Sequence, residues 1–132
     1  MIVVDSSALC AVFFNEPEKA TYQAIIDSDD RCLISAVNAH ETACVLRGRL
    51  GQQAVVAFWR WLADNRIEVA PFDELQARTA AAAFDRYGKG INSKTRLNLA
   101  DCAAYALAKG MNAPLLFKGD DFSLTDIILI LP

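Results

Sequence analysis

The sequence lacks any apolar run near the roughly 20 residues needed to cross a bilayer. Its start, MIVVDSSAL, meets an acid at the fifth residue, which speaks against a signal-peptide core. No membrane attachment is therefore expected, and the cytosol is the expected compartment. There is no C-x-x-C pair: Cys10, Cys32, Cys44 and Cys102 are widely spaced in apolar segments and read as reduced core thiols. Histidine is scarce, and the lone His40 adjoins Glu41 on a helical stretch, so the two side chains point about 100° apart. Catalytic Ser/His/Asp and Cys/His sets are thereby excluded, and no phosphate-binding or dinucleotide glycine pattern occurs. A surplus of positive charge is missing too: the net charge of −3 excludes holding nucleic acid by bulk charge, so any such site must be local.

What is present fits one compact domain. A chain of 132 residues has room for a single core and buries about two thirds of its unfolded surface. The 54% apolar content and mean hydropathy of +0.21 suggest a large core plus apolar surface meant for a partner. Short apolar runs at 2–4, 32–34, 67–69, 115–117 and 127–131 read as buried strands, with helical patterns between the first four. This alternation predicts an α/β fold, a mainly parallel sheet with helices on both faces. Val55, Phe58, Trp59 and Leu62 recur at helical spacing, as do Leu99, Cys102, Ala103 and Ala106, and an alanine-rich helix over 73–87 stops at Gly88. From residue 86 to 100 the chain carries Arg86, Lys89, Lys94 and Arg96 and no acid, a basic patch in an acidic protein.

Four acids stand at telling places. Asp5 follows the first strand and can cap the next helix; Glu41 stands three residues after Asn38, and Asp101 three after Asn98, each as an acid behind a capping residue; Asp120 follows Gly119 in a turn after the fourth strand. Topology gives them a second reading. All strands of a parallel sheet end at one edge, so Asp5, Glu41 and Asp120 can crowd one crevice, and Asp101 can join from the helix behind the basic loop. Carboxylates about 4 Å apart repel by roughly 1 to 4 kcal/mol at effective dielectrics of 80 to 20. A divalent cation such as Mg²⁺ removes that cost.

The order VDSSAL at 4–9, NAHETA at 38–43, RLNLADCAAYALAK at 96–109 and LLFKGDDFSLTDI at 115–127 resembles a PIN-domain nuclease of the VapC type, over nearly the whole chain. The last two motifs are the more specific. The resemblance implies a PIN-like three-layer α/β/α sandwich as a single domain over 1–132. It implies that Asp5, Glu41, Asp101 and Asp120 form an acidic pocket for Mg²⁺ or Mn²⁺, with the Ser7 hydroxyl bracing Asp5 or a metal-bound water. Asp121 stands beside Asp120 and can exchange roles with it, Asp120 being ranked first. The implied activity is an endoribonuclease, the toxin of a type II toxin–antitoxin pair, cleaving structured RNA such as tRNA or rRNA loops by metal-activated water. Lys89, Lys94 and Arg96 then run along a phosphate backbone, and the implied partners are a VapB-type antitoxin and RNA.

Two rivals compete. A phospho-receiver domain also has Mg²⁺-binding acids at strand ends, but needs an acidic pair after the first strand and an aspartate after the middle one, where this chain has Asp5-Ser6-Ser7 and Ala70-Pro71. A catalytically inactive PIN-like binding module is the other. A homodimer is expected, with an antitoxin segment crossing an apolar groove near Val56 and Trp61, side chains that fall off the core stripe of their helix.

Overall fold

The computed structural model describes residues 1–130. In chain order the elements are β1 (Ile2–Val4), α1 (Ser6–Phe13), α2 (Lys19–Ser28), β2 (Cys32–Ser35), α3 (Ala36–Leu50), α4 (Gln52–Asp64), β3 (Ile67–Ala70), α5 (Glu74–Tyr87), α6 (Leu99–Met111) and β4 (Leu115–Leu116). The strands form one sheet in the order β3-β2-β1-β4, and every pairing is parallel. Two helices fill each connection between successive strands, and such long crossovers are what parallel neighbours require.

Alternation of side chains along the strands builds two cores. Ile2, Val4, Cys32, Ile34 and Leu116 face one side, where they meet Leu9, Val12, Leu46, Phe58 and Leu62 from α1, α3 and α4. Val3, Leu33 and Leu115 face the other, against Ala80, Ala83, Tyr87 and the alanine-rich flank of α6. The three-layer α/β/α arrangement expected from the sequence is what the chain forms. Small side chains let α6 lie close to the sheet, and every position from Ala100 to Ala108 except Asp101 is buried.

Several expectations need correction. The run at 67–69 forms an edge strand that is only partly buried: Ile67 is buried, but Glu68 and Val69 are exposed. The expected fifth strand at 127–131 is reduced to a bridge between Leu129 and Leu115, and Leu131 lies outside the described residues. On α4 the phase differs by one position. Phe58 and Leu62 are buried and Val55 packs beside them, but Trp61 completes the stripe, edge-on to Phe13 with centroids 5.4 Å apart, whereas Trp59 is 44% exposed beside Val56. An i, i+3, i+4 stripe built on Phe58 selects Trp61 over Trp59. Of the cysteines, all free, Cys32 and Cys102 are core thiols, Cys10 is half-buried, and Cys44 is exposed one helical turn after His40. Finally, Ser35 caps α3, accepting from Val37 N, so Asn38 lies within the helix and is not its cap.

Candidate active site

The carboxyl edge of the sheet is where the acids gather. Asp5 follows β1 directly and caps α1: its Oδ2 accepts from the Ser7 amide at 3.0 Å and from the Ser7 hydroxyl at 2.6 Å. A capping geometry this short holds the carboxylate at the strand end, with 3% of the residue exposed. Its other oxygen, Oδ1, is buried and has no hydrogen-bond partner among the described residues. An unpaired buried carboxylate oxygen is costly. Burial accordingly pushes the Asp5 carboxyl up to about 6, opposed by the Ser7 hydrogen bonds and reinforced by the charge of Glu41.

Ser7 has a second contact. Its hydroxyl accepts from the Lys118 amide at 2.9 Å. It therefore ties the turn after β4 to the carboxylate at the end of β1. Lys118 extends the same link, its ammonium pairing with Glu16 and Glu18 in the turn between α1 and α2.

Asp101 arrives from α6. Asn98 accepts from the Asp101 amide at 2.8 Å while Asp101 Oδ2 accepts from the Asn98 amide at 3.0 Å, the reciprocal pair expected from the sequence. The half-buried Asp101 carboxyl rises to about 7. Burial is the largest cause, the Asn98 hydrogen bond opposes it, and the charges of Asp5, Asp121 and Glu41 add to the rise in that order. The structure thus brings Asp5, Glu41 and Asp101 together, with Asp121 as the fourth carboxylate acting on Asp101. Asp120 is exposed and lines the adjoining cleft with Asp121. Gly119, at φ +100°, makes the turn that carries both past β4. A side chain there would strain the turn.

Asn38 is the residue that motif reasoning misjudged. Fully buried, its amide donates to Ser6 Oγ at 3.2 Å and to the Ala100 carbonyl at 3.0 Å, while Ser6 Oγ donates to the Asn38 carbonyl at 3.3 Å. One side chain thereby joins the first turns of α1, α3 and α6, the helices that Asp5 caps and that carry Glu41 and Asp101. The signal available in the sequence was Ser35, two residues before Val37 and better placed as a cap. His40 is exposed and its ring reaches Cys44, in keeping with its exclusion from the chemistry.

The basic stretch borders the acids. Lys94, Thr95 and Arg96 line a cleft of about 480 Å³ whose far wall is Asp120, Asp121, Ser123 and Leu124. Lys89 lines an adjoining cleft of about 360 Å³ with Asn92, and Thr95 and Arg96 belong to both. Lys94 and Arg96 therefore share a cleft with Asp120 and Asp121, and Lys89 lies in the neighbouring one.

These acids suit a hard divalent cation. The free oxygen of Asp5 is the donor such an ion seeks, and the Asp5 and Asp101 carboxyls are raised first by burial, with the charges of neighbouring carboxylates adding to the rise. Among the described residues, no three His, Cys, Asp or Glu side chains form a ready-made cage.

Comparison with known proteins accords with this geometry. The family model for the PIN domain matches residues 2–128. Ribonuclease VapC30 of Mycobacterium tuberculosis is 37% identical over 129 residues, 98% of each chain. Ribonuclease VapC of Mycolicibacterium smegmatis is 36% identical, covering 98% of this chain and 99% of that protein. Among solved structures, Mycobacterium tuberculosis VapC20, described as a sarcin-ricin loop cleaving toxin, superposes with a TM-score of 0.83 at 18% identity over 100% of both chains. A toxin–antitoxin complex from Klebsiella pneumoniae matches at a TM-score of 0.72 and 18% identity, over 98% of this chain and 97% of that one. With the fold, the acidic edge and full-length relatives in agreement, the chain belongs to the PIN-domain family, among the VapC ribonucleases.

Proposed function

We propose that this chain is a Mg²⁺-dependent endoribonuclease, with Mn²⁺ an acceptable substitute, serving as the toxin of a type II toxin–antitoxin pair and cutting structured RNA in tRNA or rRNA loops. The observation that carries the reading is the buried, unpartnered Oδ1 of Asp5 at the end of β1, on a carboxylate that feels the charge of Glu41 and in turn acts on Asp101. Asp5, Glu41, Asp101 and Asp121 would hold the cation, with Asp120 one residue away on the cleft wall. When bound, the cation supplies activation of water and neutralises charge on the scissile phosphate.

The chain's own residues do the rest. Ser7 fixes the Asp5 carboxylate through Oδ2 and leaves Oδ1 free. Asn98 orients Asp101 through its backbone, and Asn38 sets the spacing of the three helix starts. Lys89, Lys94 and Arg96 hold RNA phosphates on the basic side of the edge. No side chain needs to act as nucleophile, so attack by water in line with the departing 3′ oxygen leaves a 5′-phosphate and a 3′-hydroxyl.

The similar VapC20 is described as a sarcin-ricin loop cleaving toxin, which supports a ribosomal or comparably looped substrate. Complexes from Klebsiella pneumoniae and of VapBC2 from Rickettsia felis support a VapB-type antitoxin as partner. A homodimer within the cytoplasm completes the reading; no helix among the described residues is long and apolar enough to cross a membrane. The test is to incubate the purified chain with RNA in Mg²⁺ or in excess EDTA and map the ends. Discrete cuts bearing 5′-phosphates, absent in EDTA, are expected; 2′,3′-cyclic phosphate ends, or full cleavage in EDTA, overturn the reading.

A further inference from the structure

The cleft between the basic stretch and the turn after Gly119 is contiguous with the cleft along residues 89–93, and the two share Thr95 and Arg96. At about 480 and 360 Å³ both lie within the range of small-ligand sites. Each is equipped alike. The first has Lys94 and Leu124, the latter 63% exposed; the second has Lys89 and Ile91, the latter 59% exposed. A cation beside an exposed apolar side chain suits a phosphate and the face of a base. At the junction, Thr95 is 4% exposed and its hydroxyl has no hydrogen-bond partner among the described residues. A buried hydroxyl left unmet is one that a ligand can satisfy.

We propose that the paired clefts form a two-nucleotide subsite for single-stranded RNA on one side of the scissile phosphate. One base rests against Leu124 and the next against Ile91; Arg96 takes the phosphate between them, and the Thr95 hydroxyl bonds the same backbone. This deepens the ribonuclease reading and rests on it. A duplex does not fit, because stacked and paired bases cannot present their faces to both apolar side chains. The adjoining Asp120 and Asp121 wall places the cut at the Leu124 end of the subsite.

The experiment measures fluorescence-anisotropy binding of labelled oligoribonucleotides one to five residues long, in EDTA so that no cleavage occurs. Thr95→Val, which keeps shape and removes the hydroxyl, is compared with Ile91→Ser, Leu124→Ser and the triple variant Lys89→Ala, Lys94→Ala, Arg96→Ala. Affinity is expected to rise steeply to two nucleotides and little afterwards. Thr95→Val is expected to weaken the dinucleotide about fivefold, the effect of removing one hydrogen bond, with an unchanged or higher Tm. Ile91→Ser is expected to weaken the dinucleotide but not the mononucleotide, while Leu124→Ser weakens both. Unaltered binding by Thr95→Val, a fall in its Tm, or an even gain per nucleotide along the ladder overturns the two-nucleotide subsite. If the triple variant binds RNA as wild type does, the basic stretch and with it the subsite are refuted, while the ribonuclease reading falls only on its own test, cleavage in EDTA or 2′,3′-cyclic phosphate ends.

Discussion

Asp5 occupies a position in which three physical demands meet. It caps α1, it is buried at a strand end, and it shares its surroundings with Glu41 and Asp101. Capping needs only Oδ2, so the cost of the buried second oxygen has no return within the fold alone. The sign of the pH response follows from the raised carboxyls. Asp5 at about 6 and Asp101 at about 7 are held above the ordinary aspartate value of 3.8, so the metal-free folded state is penalised when both are ionised. Lowering pH from 8 to 5 protonates them first in the folded state and relieves that penalty. Thermal melting in EDTA is therefore expected to give a Tm that climbs over this interval, with a shallower climb for Asp101→Asn. A wild-type Tm flat from pH 8 to 5 contradicts the burial and crowding described.

At the same scale, Asp126 behaves in the opposite way. Its carboxylate accepts from Tyr105 at 2.5 Å and from Lys109 at 3.0 Å, with Tyr87 and Arg86 close by, and these partners lower it to about 2. A lowered acid stabilises above its unfolded value and loses that contribution only as pH falls through its folded one. Asp126→Asn is expected to destabilise by about 1 kcal/mol at pH 7, the size of a net hydrogen bond to a half-exposed group. The difference from wild type should shrink as pH falls from about 4 towards 2 in urea titrations.

Among the elements, α4 shows how far periodicity carries an argument. Apolar residues at positions 55, 56, 58, 59, 61 and 62 admit two stripes of similar breadth, and only the sheet beneath decides between them. The choice falls to Trp61, which meets the ring of Phe13 from α1, a neighbour remote in sequence that no local pattern encodes. Trp61→Ala is expected to cost roughly 2 to 3 kcal/mol, below the full-burial value because the side chain is partly exposed, and Trp59→Ala under about 1 kcal/mol. Chemical denaturation of both measures the contrast; equal destabilisation would contradict the packing described, and a larger loss for Trp59→Ala would reinstate the sequence-derived phase. By comparison, strands β1 and β4, the Asn98–Asp101 cap and the layer order were legible, because each rests on a local run or a rule of parallel topology. The partial exposure of β3 was not read, although Glu68 in the middle of Ile67–Val69 is a polar residue that a fully buried strand would not carry. Asn38 escaped because a polar residue at a helix start looks like a cap until the packing of three helices buries it.

For the molecule as a whole, the fold turns sequence separation into proximity. Asp5, Glu41, Asp101 and Asp121 come from four separate stretches, and one sheet edge collects them beside cations drawn from the loop before α6. Asp120 and Asp121 are adjacent and both exposed, and the charge of Asp121 is among those raising Asp101, a distinction no local pattern encodes. On the proposed reading, a protein of net charge −3 would engage RNA through Lys89, Lys94 and Arg96 at low phosphate count. Replacing all three with alanine is expected to lower the salt slope of RNA binding by roughly 0.7 for each phosphate no longer neutralised, without altering cation affinity. The central claim, that the acidic edge is a cation site which the empty fold tolerates at a cost, is tested most directly by melting Asp5→Asn beside wild type at pH 8, with and without Mg²⁺, and assaying RNA cleavage in the same samples. The account predicts a higher metal-free Tm for Asp5→Asn, a Mg²⁺-dependent rise confined to wild type, and no cleavage wherever that rise is absent; an Asp5→Asn protein that melts lower without metal and still cleaves RNA would contradict it.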